Sequence, residues 1–145
     1  MTTTTNWNGM DYTILLSGEG TPQSIGAFVS LDDAGKGPPR HIHHDADESF
    51  YILAGEVEFW VAGETRYAKA GDMLMVPKGT EHCFRIIGDT PARMLTIMTP
   101  GGFEQFFVEV AAENLRIPED MAQISQIGVK YDLEFTGPPL GVAAE

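Results

Sequence analysis

Four side chains able to hold a metal ion stand at the spacing His41-x-His43-x4-Glu48, followed by His82. Imidazole nitrogens and a carboxylate oxygen suit divalent first-row ions, and such a mixed shell leaves positions open for another ligand. His41 and His43 are two residues apart, so on an extended backbone they share a face and can grip one ion together. The turn-like His44-Asp45-Ala46-Asp47 then resets the chain, letting Glu48 open the next strand toward the same ion. His82 comes just after Pro77-Lys78-Gly79-Thr80, a turn able to launch a strand inward. The expected cofactor is one divalent transition metal, held by His41, His43, Glu48 and His82. The donor set suits iron, manganese, nickel, cobalt, copper or zinc alike.

Strands must position these ligands. If His82 faces inward, Phe84 and Ile86 do so by the period of two, and Glu48 shares its face with Phe50 and Ile52. Phe50, Phe84 and Ile86 are thus the expected apolar wall of a substrate pocket. Short β-branched or aromatic runs punctuated by Gly and Pro predict strands over 12–16, 25–31, 48–53, 57–61, 73–76, 83–87 and 93–98. A turn is expected over 17–22 and a loop over 32–39. The threonine-rich start reads as frayed unless Trp7 pins it, with structure beginning near Met10. Beyond Pro100-Gly101-Gly102, Phe103, Phe106, Phe107 and Val110 recur at helical spacing. A second helix is expected with Pro118 in its first turn, a stop at Gly128, and Met121, Ile124 and Ile127 as its buried side. The tail Gly137-Pro138-Pro139-Leu140 reads as extended and peripheral. One domain follows: an N-terminal segment at 1–9, an all-β barrel or sandwich at 10–100, and a helical extension at 101–145 packed on it.

The wider frame is Gly35-x5-His41-x-His43-x4-Glu48-x6-Gly55, then fifteen residues, then Gly71-x5-Pro77-x-Gly79-x2-His82. It resembles the two motifs of the cupin superfamily, which implies a double-stranded β-helix, or jelly-roll, barrel with a metal held by the residues matching His41, His43, Glu48 and His82. The second motif usually closes on an asparagine, and Ile86 stands there; that position is not a usual ligand. Pro38-Pro39-Arg40-His41-Ile42-His43, Asp47 to Leu53, Thr99 to Glu104 and Gly137-Pro138-Pro139 further resemble the bacterial quercetin 2,3-dioxygenase-like cupins. That resemblance implies a dioxygenase acting on a small aromatic or enolic substrate, whose hydroxyl is deprotonated by Glu48. Two other readings stand beside it: a non-redox cupin enzyme such as an isomerase or decarboxylase, and a cupin that binds a small molecule without turnover. Cupins commonly pair through barrel faces, so a two-fold homodimer is expected; Val57, Phe59 and Val61 oppose Glu56, Glu58 and Trp60, so at least one outward face should carry an exposed aromatic.

Composition narrows the partners. With 21 acidic against 9 basic residues, the chain of 145 residues carries a net charge of -12, which repels nucleic acid and anionic membranes. No basic residue precedes Lys36 and no apolar run is long enough to span a bilayer, so a cytoplasmic location is expected. The single cysteine, Cys83, rules out an internal disulfide and reads as a buried, inert thiol. His44 should point away from the ligands, as a surface or interface residue. The Phe103, Phe106 and Phe107 stripe reads as core packing.

Overall fold

A computed structural model describes residues 2–17 and 25–142. In chain order these form β1 (Thr3–Trp7), β2 (Met10–Leu16), β3 (Gly26–Asp32), β4 (Pro39–His43), β5 (Asp47–Ala54), β6 (Glu56–Val61), β7 (Glu64–Lys69), β8 (Met73–Val76), β9 (His82–Ile87) and β10 (Ala92–Thr99). Two helices, α1 (Glu104–Ala112) and α2 (Met121–Val129), and a last strand, β11 (Leu133–Pro139), follow. The strands make two antiparallel sheets, ordered β1-β2-β3-β10-β5-β8 and β11-β4-β9-β6-β7. Alternation fixes which face turns inward. In β5, Glu48, Phe50 and Ile52 are buried while Tyr51 and Leu53 are exposed, and in β4 Pro39, His41 and His43 are buried.

The interior is filled by two apolar clusters. Phe50, Ile52, Val57, Phe59, Ile86 and Met94 belong to one. In the other, Tyr12 and Phe28 of the six-stranded sheet meet Phe106, Phe107 and Val110 of α1 and Ile124 of α2. Tyr12 stacks on Phe107 with ring centroids 3.9 Å apart, so α1 is locked to the sheet face-on. Close backbone approach requires glycine at two points. A Cβ on Gly37 would stand 1.8 Å from the Phe84 carbonyl oxygen, and Gly55 combines a φ of +85° with Ala92 Cα 2.7 Å from where its Cβ would be. Gly55, which closes the first motif, is thus held both by its turn and by its neighbour strand.

Several expectations need correction. The first strand begins at Thr3 and not near Met10, because β1 pairs with β2 from Thr3↔Ile14 to Trp7↔Met10. Threonine is a good strand former, so a polar run can serve as an edge strand. Trp7 does pin it: the ring is buried and its Nε1–H donates to the Leu115 carbonyl at 2.8 Å. The tail is not peripheral, since β11 pairs with ligand strand β4, Phe135 lying opposite His41. Its prolines are tolerated because β11 is an edge strand. The polar strand β7 also escaped the sequence reading, as did β4 as a formal strand inside the ligand run. Helix α2 starts at Met121 rather than at Pro118 and runs one residue past Gly128; Ile124 and Ile127 are buried and Met121 half-buried. The Trp60 face is not an open aromatic surface either, because the Arg40 guanidinium lies over the ring at 4.7 Å. The expected turn lies, from Gly18 on, outside the described residues. No helix among the described residues is long and apolar enough to cross a membrane.

Candidate metal centre

Three strands from two sheets deliver the ligands. β4 carries His41 and His43, β9 carries His82 paired directly to His41, and β5 brings Glu48 across from the other sheet. One ligand atom from each of the four residues lies within 4.8 Å of all the others, and all four residues are buried. The rings of His41 and His82 are 4.3 Å apart, and those of His41 and His43 5.1 Å.

Backbone carbonyls set the tautomers. His41 Nδ1–H donates to Pro39 O at 2.7 Å and His82 Nδ1–H to Thr80 O at 2.9 Å, which turns both Nε2 atoms toward the centre. His82 Nε2 also donates to Glu48 Oε1 at 2.8 Å, whereas His43 Nε2 lies 3.5 Å from that oxygen. Neither ring nitrogen of His43 has a hydrogen-bond partner among the described residues, although the residue is only 2% exposed. An orphaned buried polar atom costs about 1–3 kcal/mol, so an imidazole kept in that state calls for a ligand outside the protein. The donor set and this orphan both fit a divalent metal.

Electrostatics agree. Burial holds His41 well below the ordinary imidazole range, helped by its histidine neighbours, and burial also lowers His43. Burial alone would raise Glu48, but His43, His82 and His41 outweigh it and bring the carboxyl down to about 2. For His82 burial lowers and the Glu48 carboxylate raises, and the carboxylate prevails. The centre therefore holds an ionised Glu48, two neutral imidazoles with free lone pairs, and one proton between His82 and Glu48. A divalent cation would displace that proton.

A cavity opens onto the centre, with about 70 Å³ available to the centres of water molecules. His41, His43 and Glu48 line it, while His82 joins them through Glu48. Phe50 and Phe84 form part of the wall as expected, but Ile86 does not: it packs with Val57 and Phe59 in the apolar cluster. Its face is right and its distance wrong, since four residues of strand carry it about 13 Å past His82. Phe103, Phe106 and Phe107, read as core alone, line the cavity too, and Phe103 meets the His43 ring edge-on at 4.5 Å. Sequence reasoning missed Tyr12, Phe28 and Thr96, although the period of two within their strands was a usable signal. Two residues stay outside, as expected. His44 is exposed and bonded to Glu134 at 2.8 Å, and Cys83 is fully buried with its thiol pushed up to about 11 by burial.

Residues 27–98, which carry all four ligands and both glycine frames, match the family described as the cupin domain. The chain is a cupin. It is 33% identical over 85 residues to the quercetin 2,3-dioxygenase of Bacillus subtilis (strain 168), covering 57% of this chain and 25% of that protein. It is 32% identical over 85 residues to the polyketide synthase CurC of Streptomyces cyaneus, covering 55% of each. The cupin thus matches from a quarter to about half the length of these two relatives. Among solved structures, the cupin domain of Schizosaccharomyces pombe Cnp3 superposes with a TM-score of 0.60 at 23% identity, over 71% of this chain and 72% of that one. At that identity the likeness concerns the fold.

Proposed function

We propose that this cupin is a metal-dependent dioxygenase of a small, neutral phenol or enol. The observation that carries the reading is a buried three-histidine, one-carboxylate centre facing a narrow, largely aromatic cavity. His41, His43, Glu48 and His82 would hold the ion, which would supply Lewis acidity and one-electron chemistry to an oxygen-bearing substrate. Glu48 takes the substrate hydroxyl proton on a carboxylate oxygen, being the sole carboxylate among the described residues that line the cavity. Phe50, Phe84 and Phe103 exclude water from the deprotonated substrate. The names of the B. subtilis relative and of a second quercetin 2,3-dioxygenase, from Aspergillus japonicus, support oxygen chemistry.

Size and charge narrow the substrate. The cavity offers about 70 Å³ to the centres of water molecules, which favours a single substituted ring over a three-ring flavonol. No lysine or arginine is among the described residues that line the cavity, which disfavours an acidic substrate. Oxygen uptake by metal-loaded protein with single-ring phenols, catechols and enols tests the reading, with metal content and uptake measured in parallel for Glu48→Gln. Uptake by the wild type, lost in a Glu48→Gln protein that retains metal, is the expected result. No uptake with any member of the panel shifts the reading to a non-redox or purely binding cupin.

A further inference from the structure

Among the described residues, the cavity wall holds one hydroxyl without a protein partner. Thr96 lies in the middle of β10, opposite Phe28 of β3 and Phe50 of β5. Its neighbours by the period of two, Met94 and Met98, are fully buried, so Thr96 faces inward with them. It is 1% exposed, lines the cavity, and makes no hydrogen bond through its side chain to any described residue. The other hydroxyls of the wall are engaged: Ser30 Oγ–H donates to Asp32 Oδ2 at 2.8 Å, and the Tyr12 hydroxyl approaches Met10 Sδ at 4.0 Å. Valine would fill the Thr96 site without an unsatisfied polar group, so packing between two phenylalanines gives the hydroxyl no role.

Position suggests one. Met98, two residues along β10, lies opposite Glu48 of β5, so Thr96 stands one pleat repeat, about 7 Å, along β10 from the Glu48 register, while the histidine ligands stand on the facing sheet, about 10 Å across. That diagonal leaves room for a single six-membered ring carrying an oxygen at each end, together with the contact that each oxygen makes. Phe28 and Phe50 flank the path between the two points. We propose that Thr96 sets substrate specificity by hydrogen-bonding the second oxygen of a neutral, single-ring substrate whose first oxygen faces Glu48 and the ion. The proposal rests on the phenol or enol reading above and deepens it: the substrate has two polar ends and a flat apolar middle.

The test uses zinc-loaded protein under argon, so that no turnover occurs, with calorimetric titration of hydroquinone and 4-methylphenol. These probes differ in the group at the far end of the ring. Wild-type protein should bind hydroquinone about threefold to tenfold more tightly, the range one neutral hydrogen bond supplies. Thr96→Val should erase that preference while keeping its zinc and its affinity for 4-methylphenol, and Thr96→Ser should restore it. Unliganded Thr96→Val should melt no lower than the wild type, because the hydroxyl it loses is unpaired. Equal binding of the two probes by the wild type, or a preference that survives in Thr96→Val, overturns the role of Thr96 and leaves the phenol reading standing. Failure of both probes to bind in a zinc-dependent manner overturns the phenol reading, and this inference with it.

Discussion

Asp32 gives the sharpest test of the energetics of this interior. It ends β3 facing inward, is 1% exposed, and burial pushes its carboxyl up to about 6, against the opposing pull of the Ser30 hydroxyl bond and with a further push from Asp33. The folded state therefore binds a proton that the unfolded chain, ionising near 3.8, has released. Between about pH 4 and pH 6 the folded state carries more protons, so stability falls as pH rises through that window. Above it the full cost is present, about 3 kcal/mol at roughly 1.4 kcal/mol per pH unit of separation. Asp32→Asn keeps an oxygen to accept from Ser30 and removes the charge. In urea titrations with chelator present, the variant should match the wild type near pH 3.5 and exceed it by up to about 3 kcal/mol at pH 8. A chain of this size gains about 2–4 °C per kcal/mol, so melting curves should separate in step. A variant that is less stable at pH 8, or a difference that does not change with pH, refutes the reasoning.

Purified protein should carry close to one first-row ion per chain, and His43→Ala or His82→Ala should lose most of it by elemental analysis; wild type that neither contains nor takes up an ion would rule the centre out. Gly37→Ala drives a Cβ to within 1.8 Å of the Phe84 carbonyl oxygen. It should cost a few kcal/mol, on the scale of other overpacked cores, and lower the melting temperature, whereas Gly79→Ala, which meets nothing within 4 Å, should show only the smaller penalty of its positive φ. The expected homodimer is measured by light scattering, and the face to perturb is the outer side of the six-stranded sheet, where Leu31, Tyr51, Leu53, Met73 and Met75 are exposed. Tyr51→Glu combined with Met73→Glu should yield monomer, and a wild type that is monomeric at micromolar concentration removes the expectation.

Much of the centre was legible in the sequence because its ligands obey local rules. His41 and His43 share a face by strand alternation alone, and Glu48 and His82 follow turns whose glycines and prolines can be read directly. The same rule placed Phe50 and Phe84 on the wall, and helical spacing exposed the Phe106 and Phe107 side of α1. What the sequence could not supply was distance and closure. Ile86 has the right face but lies too far along β9, because alternation fixes direction and says nothing of how deep the cavity runs. The edge strands β1, β7 and β11 were missed because an edge half-open to water tolerates threonine, charge and proline, which blurs the apolar signal. Only the facing of two sheets brings Glu48 to His82, stacks Tyr12 on Phe107, and turns a helix stripe into a cavity wall. Only that same closure leaves Thr96 without a partner and raises Asp32, since burial and proximity between strands distant in the chain exist once the sheets have met and not before.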